Sequence, residues 1–284
     1  MPSRGKATPT PFPYEELDNR EEDHWSGAHL DDDRLRALAL GAFYSARWDA
    51  FHDGLLLGPE REHPLGDRRE LAIDTLTGAW GITDGTEAQA SMEQLLKGMH
   101  APLYALVHPL VTAALTAGER DRFGERADRH RAFLRQVAAF RGMENPEALV
   151  RDYDIWCQAI KIGFTSHLAR PVATCIHAWD LARVTAVARM AYTAGYLEAD
   201  VAWSYMARAL PLAQRKYRNW RQFGDAYLAG WTYWQACEDL AVLKDGGVDR
   251  RMELLRLWTR PTSPWRRVAL HPRPEPEPQD AAAE

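Results

Sequence analysis

The sequence predicts an all-α protein, with a single multi-helix domain between two disordered tails. Apolar residues recur along the chain at the spacing of an amphipathic helix, and no segment shows the alternation of β-branched and polar residues expected of a strand. The composition, with 46% hydrophobic and 26% charged residues among 284, is that of an ordinary globular protein. We therefore expect an N-terminal tail over residues 1–30, a helical domain over 31–260 and a C-terminal tail over 261–284.

The two ends have compositions that disfavour a packed structure. Three prolines, Pro9, Pro11 and Pro13, are followed by an acidic run from Glu15 to Asp23. The other end alternates proline with charged residues from Pro272 to Pro278, which favours an extended polyproline conformation. Neither segment can bury enough apolar surface to offset the entropy of ordering it. We expect the residues before Trp25 and those after Pro261 to be dispensable for folding.

Ten helices are predicted in the domain from the apolar spacing, with start and stop signals at several of their ends. Thr86 and Gln89 have the spacing of a capping box, Asn145 precedes a proline at the first helical turn, and Gly195 suits a left-handed C-cap. Pro211 removes a backbone donor inside its helix, so we expect a kink or break there. The predicted helices run from Asp32 to Asp53, Asp67 to Trp80, Thr86 to Met99, Leu103 to Ala117, Glu119 to Arg141, Pro146 to Phe164, Val172 to Ala194, Glu198 to Arg218, Trp220 to Leu243 and Asp249 to Trp258.

Charge, hydropathy and cysteine usage argue against several classes of protein. The net charge of -5 and the pI near 6.1 disfavour a nucleic-acid partner, which requires a broad basic surface. No run reaches the ~20 apolar residues of a membrane span. Cys157, Cys175 and Cys237 stand far apart, so the sequence predicts neither a zinc site nor a redox pair. We expect a cytoplasmic protein with no metal and no cofactor.

An ion pair on an apolar helix face is the most informative feature of the chain. At ~100° per residue, Asp180 and Arg183 share one side of their helix with apolar residues, namely Ile176, Val187, Met190 and Ala194. The opposite side carries Thr185, Arg189 and Thr193. The spacing of three residues lets the two charged side chains meet, and a charge is rarely buried without a partner. The pair is therefore either a specificity device in the core or the floor of a site.

A second group of unusual residues follows in the helix from Trp220 to Leu243, where aromatic side chains and glycines share one face. A glycine costs a helix roughly 1 kcal/mol relative to alanine, so we expect another helix or a ligand to approach closely there. The two helices together give one candidate cluster for ligand binding or for core structure, composed of His177, Trp179, Asp180, Arg183, Gly224, Tyr227, Gly230 and Trp231. None of these residues is assigned to catalysis from the sequence.

Several of these residues form strings that resemble a known family. Trp179 to Arg183 reads W-D-L-x-R, Ala194 to Tyr196 reads A-G-Y, and Trp220 to Gly230 reads W-x-x-F-G-x-x-Y-x-x-G. Together with the Trp80 to Ile82 and Leu95 to His100 stretches, they resemble the bacterial DUF1266 family of unknown function. The resemblance spans Leu35 to Trp234, and it implies a helical, cytoplasmic bacterial protein with no established activity.

Two classes of function remain open. The sequence has no nucleophile elbow, phosphate-binding loop or dinucleotide fingerprint, which favours a non-enzymatic protein that binds a protein partner or a small molecule. The alternative is an enzyme, such as a hydrolase deployed as a toxin or effector, with Asp180, Arg183 and His177 in a cleft. A general acid and base can also come from distant segments, for example His100 or His167 with Asp180. An open pocket exposing His177, Asp180 and Arg183 would favour the enzyme, whereas a dry pair wrapped by aromatic rings would favour the binding protein.

Overall fold

The computed structural model of the protein describes residues 25–48, 50–57, 68–116, 123–238 and 246–272. These residues form helices and no strand, so the predicted all-α fold class is confirmed. The helices, in chain order, are α1 (Asp32–Ala39), α2 (Ala42–Arg47), α3 (Arg68–Thr75), α4 (Gly85–Lys97), α5 (Ala101–Thr116), α6 (Phe123–Phe140), α7 (Pro146–Lys161), α8 (His177–Thr193), α9 (Ala199–Lys216), α10 (Trp220–Glu238), α11 (Gly246–Thr259) and α12 (Pro264–Arg267). A turn of π-helix, Leu76–Trp80, continues α3.

Helix α8 lies at the centre of the structure. Every residue from His177 to Ala191 is buried, and α8 packs against α3, α4, α9 and α10. The sequence placed Thr185 and Arg189 opposite the buried stripe, yet both are as enclosed as the stripe itself. Their polar groups are satisfied inside the protein, as burial requires; Thr185, for example, donates its hydroxyl to Ala37 O at 3.1 Å.

Arg189 of α8 forms hydrogen bonds to α2 and to the loop that follows it. Its guanidinium donates to Ser45 Oγ at 2.7 Å and to the carbonyl oxygens of Phe51, Leu55 and Leu56 at 2.8, 3.2 and 2.9 Å. A charged guanidinium is costly to bury without hydrogen-bond partners. Arginine can only donate, and its acceptors here are uncharged oxygens, so the hydrogen bonds offset this cost without a counter-ion. Arg189 and Thr185 thus both connect the central helix to the N-terminal part of the domain.

The first predicted helix, Asp32 to Asp53, divides into α1 and α2 at Gly41. A Cβ at Gly41 would lie 2.7 Å from Thr185 Cγ2, so the chain turns where α8 comes closest. Beyond α2, the Asp53 carboxylate accepts the backbone N–H groups of residues 26–28 at 2.8, 2.9 and 3.1 Å. The last residues of the predicted N-terminal tail are thereby held against the domain.

Two other helices depart from the prediction. Helix α9 continues through Pro211, so the helix does not break there, and Ala209, Leu210 and Ala213 on either side of the proline are buried. The helix predicted from Val172 begins only at His177. Some residues at which a predicted helix begins or ends, including Ala117, Glu119 and Leu243, lie outside the described residues.

The domain continues past the predicted boundary at residue 260. Trp265, in α12, stacks on Trp220 with ring centroids 5.4 Å apart, and its indole N–H donates to Ala39 O at 2.7 Å. Trp220 in turn donates to Val268 O at 2.7 Å. The prediction of a tail from residue 261 is corrected by these contacts, because one large aromatic side chain outweighs the proline-rich composition around it. Residues 1–24 and 273–284 lie outside the described part of the chain.

Candidate functional site

The Asp180–Arg183 pair lies where the sequence placed it, on a buried side of α8. One turn of helix separates the two residues, and Arg183 Nη2 donates to Asp180 Oδ1. Asp180 is 0% exposed and Arg183 is 6% exposed, so the contact is shielded from water. Burial lowers the pKa of Arg183, while the Asp180 charge acts in the opposite direction and favours the charged guanidinium.

Aromatic rings cover the guanidinium of Arg183. Its Cζ lies 3.4 Å from the ring centroid of Trp179, one turn earlier on the same helix, and 5.6 Å from that of Trp80. Trp80 is held at this position by the π-helical turn that follows α3. Short π-helical segments often occur at functional sites. The pair is therefore a dry contact wrapped by aromatic side chains.

His100 is the point at which the pair comes nearest to solvent. This residue lies between α4 and α5, its side chain is 23% exposed, and its Nδ1 lies 3.0 Å from Arg183 Nη2 and 3.7 Å from Asp180 Oδ1. Because arginine can only donate, Nδ1 of His100 accepts, and in the neutral ring the hydrogen is on Nε2. His100 therefore presents a hydrogen-bond donor at its outer edge.

Three neighbouring side chains of α8 retain buried polar atoms with no hydrogen-bond partner among the described residues. These atoms are Trp179 Nε1, Asp180 Oδ2 and Arg183 Nε. They comprise two donors and one acceptor within a single turn of helix. An unsatisfied buried polar group costs ~1–3 kcal/mol, so three of them together are an unusual feature of a folded core.

The cluster residues on α10 divide between two places: Gly230 and Tyr227 lie near the pair, and Gly224 and Trp231 do not. A Cβ at Gly230 would lie 2.7 Å from Trp179 Cβ, and one at Gly224 would lie 3.0 Å from the Trp265 ring, so both glycines admit side chains of the core. The rings of Tyr227 and Phe43 are 4.7 Å apart. Trp231 lies under Arg250, whose Cζ is 4.2 Å from its ring centroid. Gly224 and Trp231 therefore face α11 and α12, whereas Gly230 brings α10 onto α8 beside the pair.

The three histidines named from the sequence have separate surroundings. His100 contacts the pair, as described above. His177 is buried with its Nε2 3.4 Å from Leu95 O, and burial lowers its pKa. His167 Nε2 lies 2.9 Å from Thr232 Oγ1, and because that hydroxyl donates to Leu228 O, the histidine is the donor. Of the two proposed partners for Asp180, the structure brings His100 to the pair and not His167.

Sequence reasoning missed a second group beside His100. Asp152 of α7 lies with Cys237 and Tyr233 of α10 and within electrostatic range of His100. Burial raises the pKa of Asp152 and raises that of Cys237 to about 12. In the same region the rings of Trp234 and Trp179 are 5.4 Å apart. The residues come from three helices distant in the chain, so no local motif could have indicated the group.

No group of three or more histidine, cysteine or carboxylate side chains among the described residues is arranged to hold a metal ion. None of the helices in the described ranges is both long and apolar enough to cross a membrane.

The fold and the pair together define a class: an all-α protein built around one buried central helix that carries an ion pair under aromatic rings. Residues 75–270 match the family model described as "Protein of unknown function (DUF1266)", and the chain belongs to this family. The matched region begins at the end of α3 and extends to the residues after α12, so it contains every residue of the site. Searches of curated proteins and of solved structures each returned no match.

Proposed function

We propose that the protein binds a small uncharged ligand at the edge of the Asp180–Arg183 pair, beside His100, and catalyses no reaction there. The observation that supports this is the set of three unpartnered polar atoms on Trp179, Asp180 and Arg183. Atoms of this kind gain most from a ligand that supplies the missing hydrogen bonds, because they carry their desolvation cost already. His100, the most exposed of the four side chains, gives the route by which a ligand reaches them.

The chemistry of the ligand follows from the charges and donors of the site. Arg183 already neutralises Asp180, so a charged ligand would be left without a counter-ion in a buried place. Two donors and one acceptor call for a molecule with both a carbonyl and an N–H or O–H group. Trp80 and Trp179 lie against the guanidinium of Arg183 and Trp234 packs on Trp179, so the surroundings of the pair are aromatic. An uncharged, planar molecule that carries an amide group meets these conditions.

Titration calorimetry with uracil and nicotinamide, against benzoate and benzylamine as charged probes, tests the proposal. We expect an uncharged amide to bind, and Trp179→Phe to weaken it on the order of tenfold, since the ring remains and one hydrogen bond is lost. Arg183→Lys should also weaken binding, because lysine keeps the charge and loses the planar fork. Trp203→Phe, in α9 beside Arg34, is the matched control. Failure of both amides to bind, or equal binding by all variants, would contradict the proposal.

The enzymatic alternative has one observation in its favour, the 3.7 Å approach of His100 Nδ1 to Asp180 Oδ1. Against it, the nitrogen that would take a proton is occupied by Arg183, and the outer nitrogen carries a hydrogen. Burial also raises the pKa of the Cys157 and Cys237 thiols, which keeps both protonated and poorly nucleophilic. Turnover of 4-nitrophenyl acetate that is lost in His100→Gln would support a hydrolase in place of a binding protein.

A further inference from the structure

Helix α5 has a surface that is unusual for a helix at the outside of a soluble protein. None of its 16 residues, from Ala101 to Thr116, is charged. One side of the helix is buried and includes Tyr104, Val107 and Val111. The other side is exposed and carries only small or apolar residues and threonine, including Pro102, Ala105, Pro109, Thr112 and Ala113. An outer helix ordinarily carries charged residues on its exposed side. The exposed side of α5 is therefore suited to contact with another apolar surface.

Helix α6 adds two protruding aromatic side chains next to this surface. Phe133 is 47% exposed and Phe140 is 93% exposed. At ~100° per residue, these two residues and Arg126 lie within about 40° of each other on one flank of the helix. Arg126 Nη1 donates to Ala113 O, so this flank is the one directed towards α5.

The other flank of α6 is occupied by α7. Arg131 bonds Asp154, and Arg135 bonds Glu147, both across to α7. Since both α5 and α6 also pack on α7, the three helices form a layer whose outer side combines the uncharged α5 residues with the two phenylalanines. We call this outer side the α5–α6 face.

We propose that the α5–α6 face is a self-association surface, covered by the same face of a second copy of this chain. The face carries both halves of a helix-in-groove contact: two phenylalanines seven residues apart on α6, and an apolar helix side to receive them on α5. A surface that contains both halves is self-complementary about a two-fold axis, as an isologous dimer requires. This inference is independent of the ligand site.

Few charged side chains lie at this face. Asp128, Asp154 and Glu147 pair with Arg131 and Arg135, on the flank of α6 that packs against α7. The α5 side contributes no charge. Beside the two phenylalanines α6 carries Glu125, Arg126 and Arg129, so contact between two copies brings few charged side chains together, and no charged side chain of α5 has to be desolvated.

The size of the face sets the strength of the contact. Two neighbouring helices about 24 Å long and roughly 20 Å across together cover on the order of 500 Å² per copy. A standard stable interface buries ~800 Å² per partner. The dimer is therefore weak and dissociates on dilution.

Sedimentation velocity of the full chain over a wide range of concentration tests this surface. The wild-type protein should shift from monomer to dimer as concentration rises. The double variant Phe133→Glu with Phe140→Glu should raise the dissociation constant by tenfold to a hundredfold, roughly, because it places four carboxylates in the contact. Ala105→Glu tests the receiving side on α5 and should act in the same direction.

A matched control exists on α11, where Val248 and Met252 are 55% and 50% exposed. Changing both to glutamate adds the same charge to another surface and should leave the dimer intact. Circular dichroism confirms that each variant is folded. A wild-type chain that stays monomeric overturns the proposal, as does dissociation by the α11 control alone. Binding of the monomer to phosphatidylglycerol vesicles, lost in the α6 double variant, would assign the face to a membrane surface instead.

Discussion

Asp180 is a buried charged residue whose pairing with Arg183 affects the stability of the protein. Its carboxylate is fully buried and charge-paired through Oδ1, whereas Oδ2 has no hydrogen-bond partner among the described residues. Removing one member of a buried pair leaves the other as an uncompensated charge, and this costs more than the pair itself contributes. Replacing either Asp180 or Arg183 alone is therefore expected to destabilise the protein.

We expect Asp180→Ala to lower the free energy of unfolding by ~3–5 kcal/mol, because Arg183 would remain buried without its counter-ion. Urea denaturation measures the loss. The control is Glu93→Ala, which removes a well-formed ion pair with Arg208 whose side chains are 39% and 50% exposed. Solvent screens that pair, so its loss should be far smaller. Equal losses in the two variants would mean that the Asp180 pair is solvated.

The contact between α8 and α10 depends on a glycine in the middle of a helix. At Gly230 the backbone of α10 comes so close to Trp179 and Ile176 that a Cβ would lie 2.7 and 3.2 Å from their Cβ atoms. Alanine is the better helix former, so any destabilisation on substitution must come from this contact. The position of Trp179 in the site therefore depends on the absence of a side chain at Gly230.

We expect Gly230→Ala to destabilise the protein by ~1–3 kcal/mol in urea denaturation, because the backbone of α10 must move away from α8. The same change should reduce the ring contact between Trp179 and Trp234, which near-ultraviolet circular dichroism detects. Gly124→Ala in α6 is the matched control, since a Cβ there would have no atom within 4 Å and alanine should be neutral or slightly stabilising. A stabilising Gly230→Ala would show that α8 and α10 are less tightly packed.

The folded protein as a unit should be sensitive to acid. Burial lowers the pKa of His108, His130, His167 and His177, and that of His167 falls from 6.5 to about 4. Between these two pH values the unfolded chain binds a proton at His167 that the folded chain does not bind. Stability therefore falls as pH decreases through this window.

Urea denaturation at a series of pH values from 7 to 4 should show a falling midpoint, as the linkage relation requires ~1.4 kcal/mol for each unit of fully expressed pKa difference. His167→Gln keeps a donor for Thr232 and removes the titrating group, so its midpoint should depend less steeply on pH. A variant with an unchanged slope would show that His167 is not one of the groups responsible.

The C-terminal segment closes the domain, contrary to the expectation from composition. Removing residues 262–284 deletes Trp265, whose ring covers Trp220 and whose N–H bonds Ala39 O. Loss of a core tryptophan costs ~3–5 kcal/mol, so this truncation should lower the melting temperature markedly. Removing only residues 273–284 should leave it unchanged, as their proline-rich composition predicts. Equal melting temperatures for the two truncated proteins would refute the role of Trp265.

The fold class, most of the helices and the burial of the Asp180–Arg183 pair could be predicted from the sequence, because these depend on apolar spacing and on residues one helical turn apart. The residues that join the pair could not be predicted in this way, because they reach it through the packing of distant helices. His100, Trp80 and Asp152 come from separate segments, and their approach depends on how α4, α5, α7 and α10 pack around α8. The burial of Arg189 and Trp265 also depends on tertiary packing. The carbonyl groups that accept their hydrogen bonds are far away in the chain, so no local sequence pattern predicts these contacts.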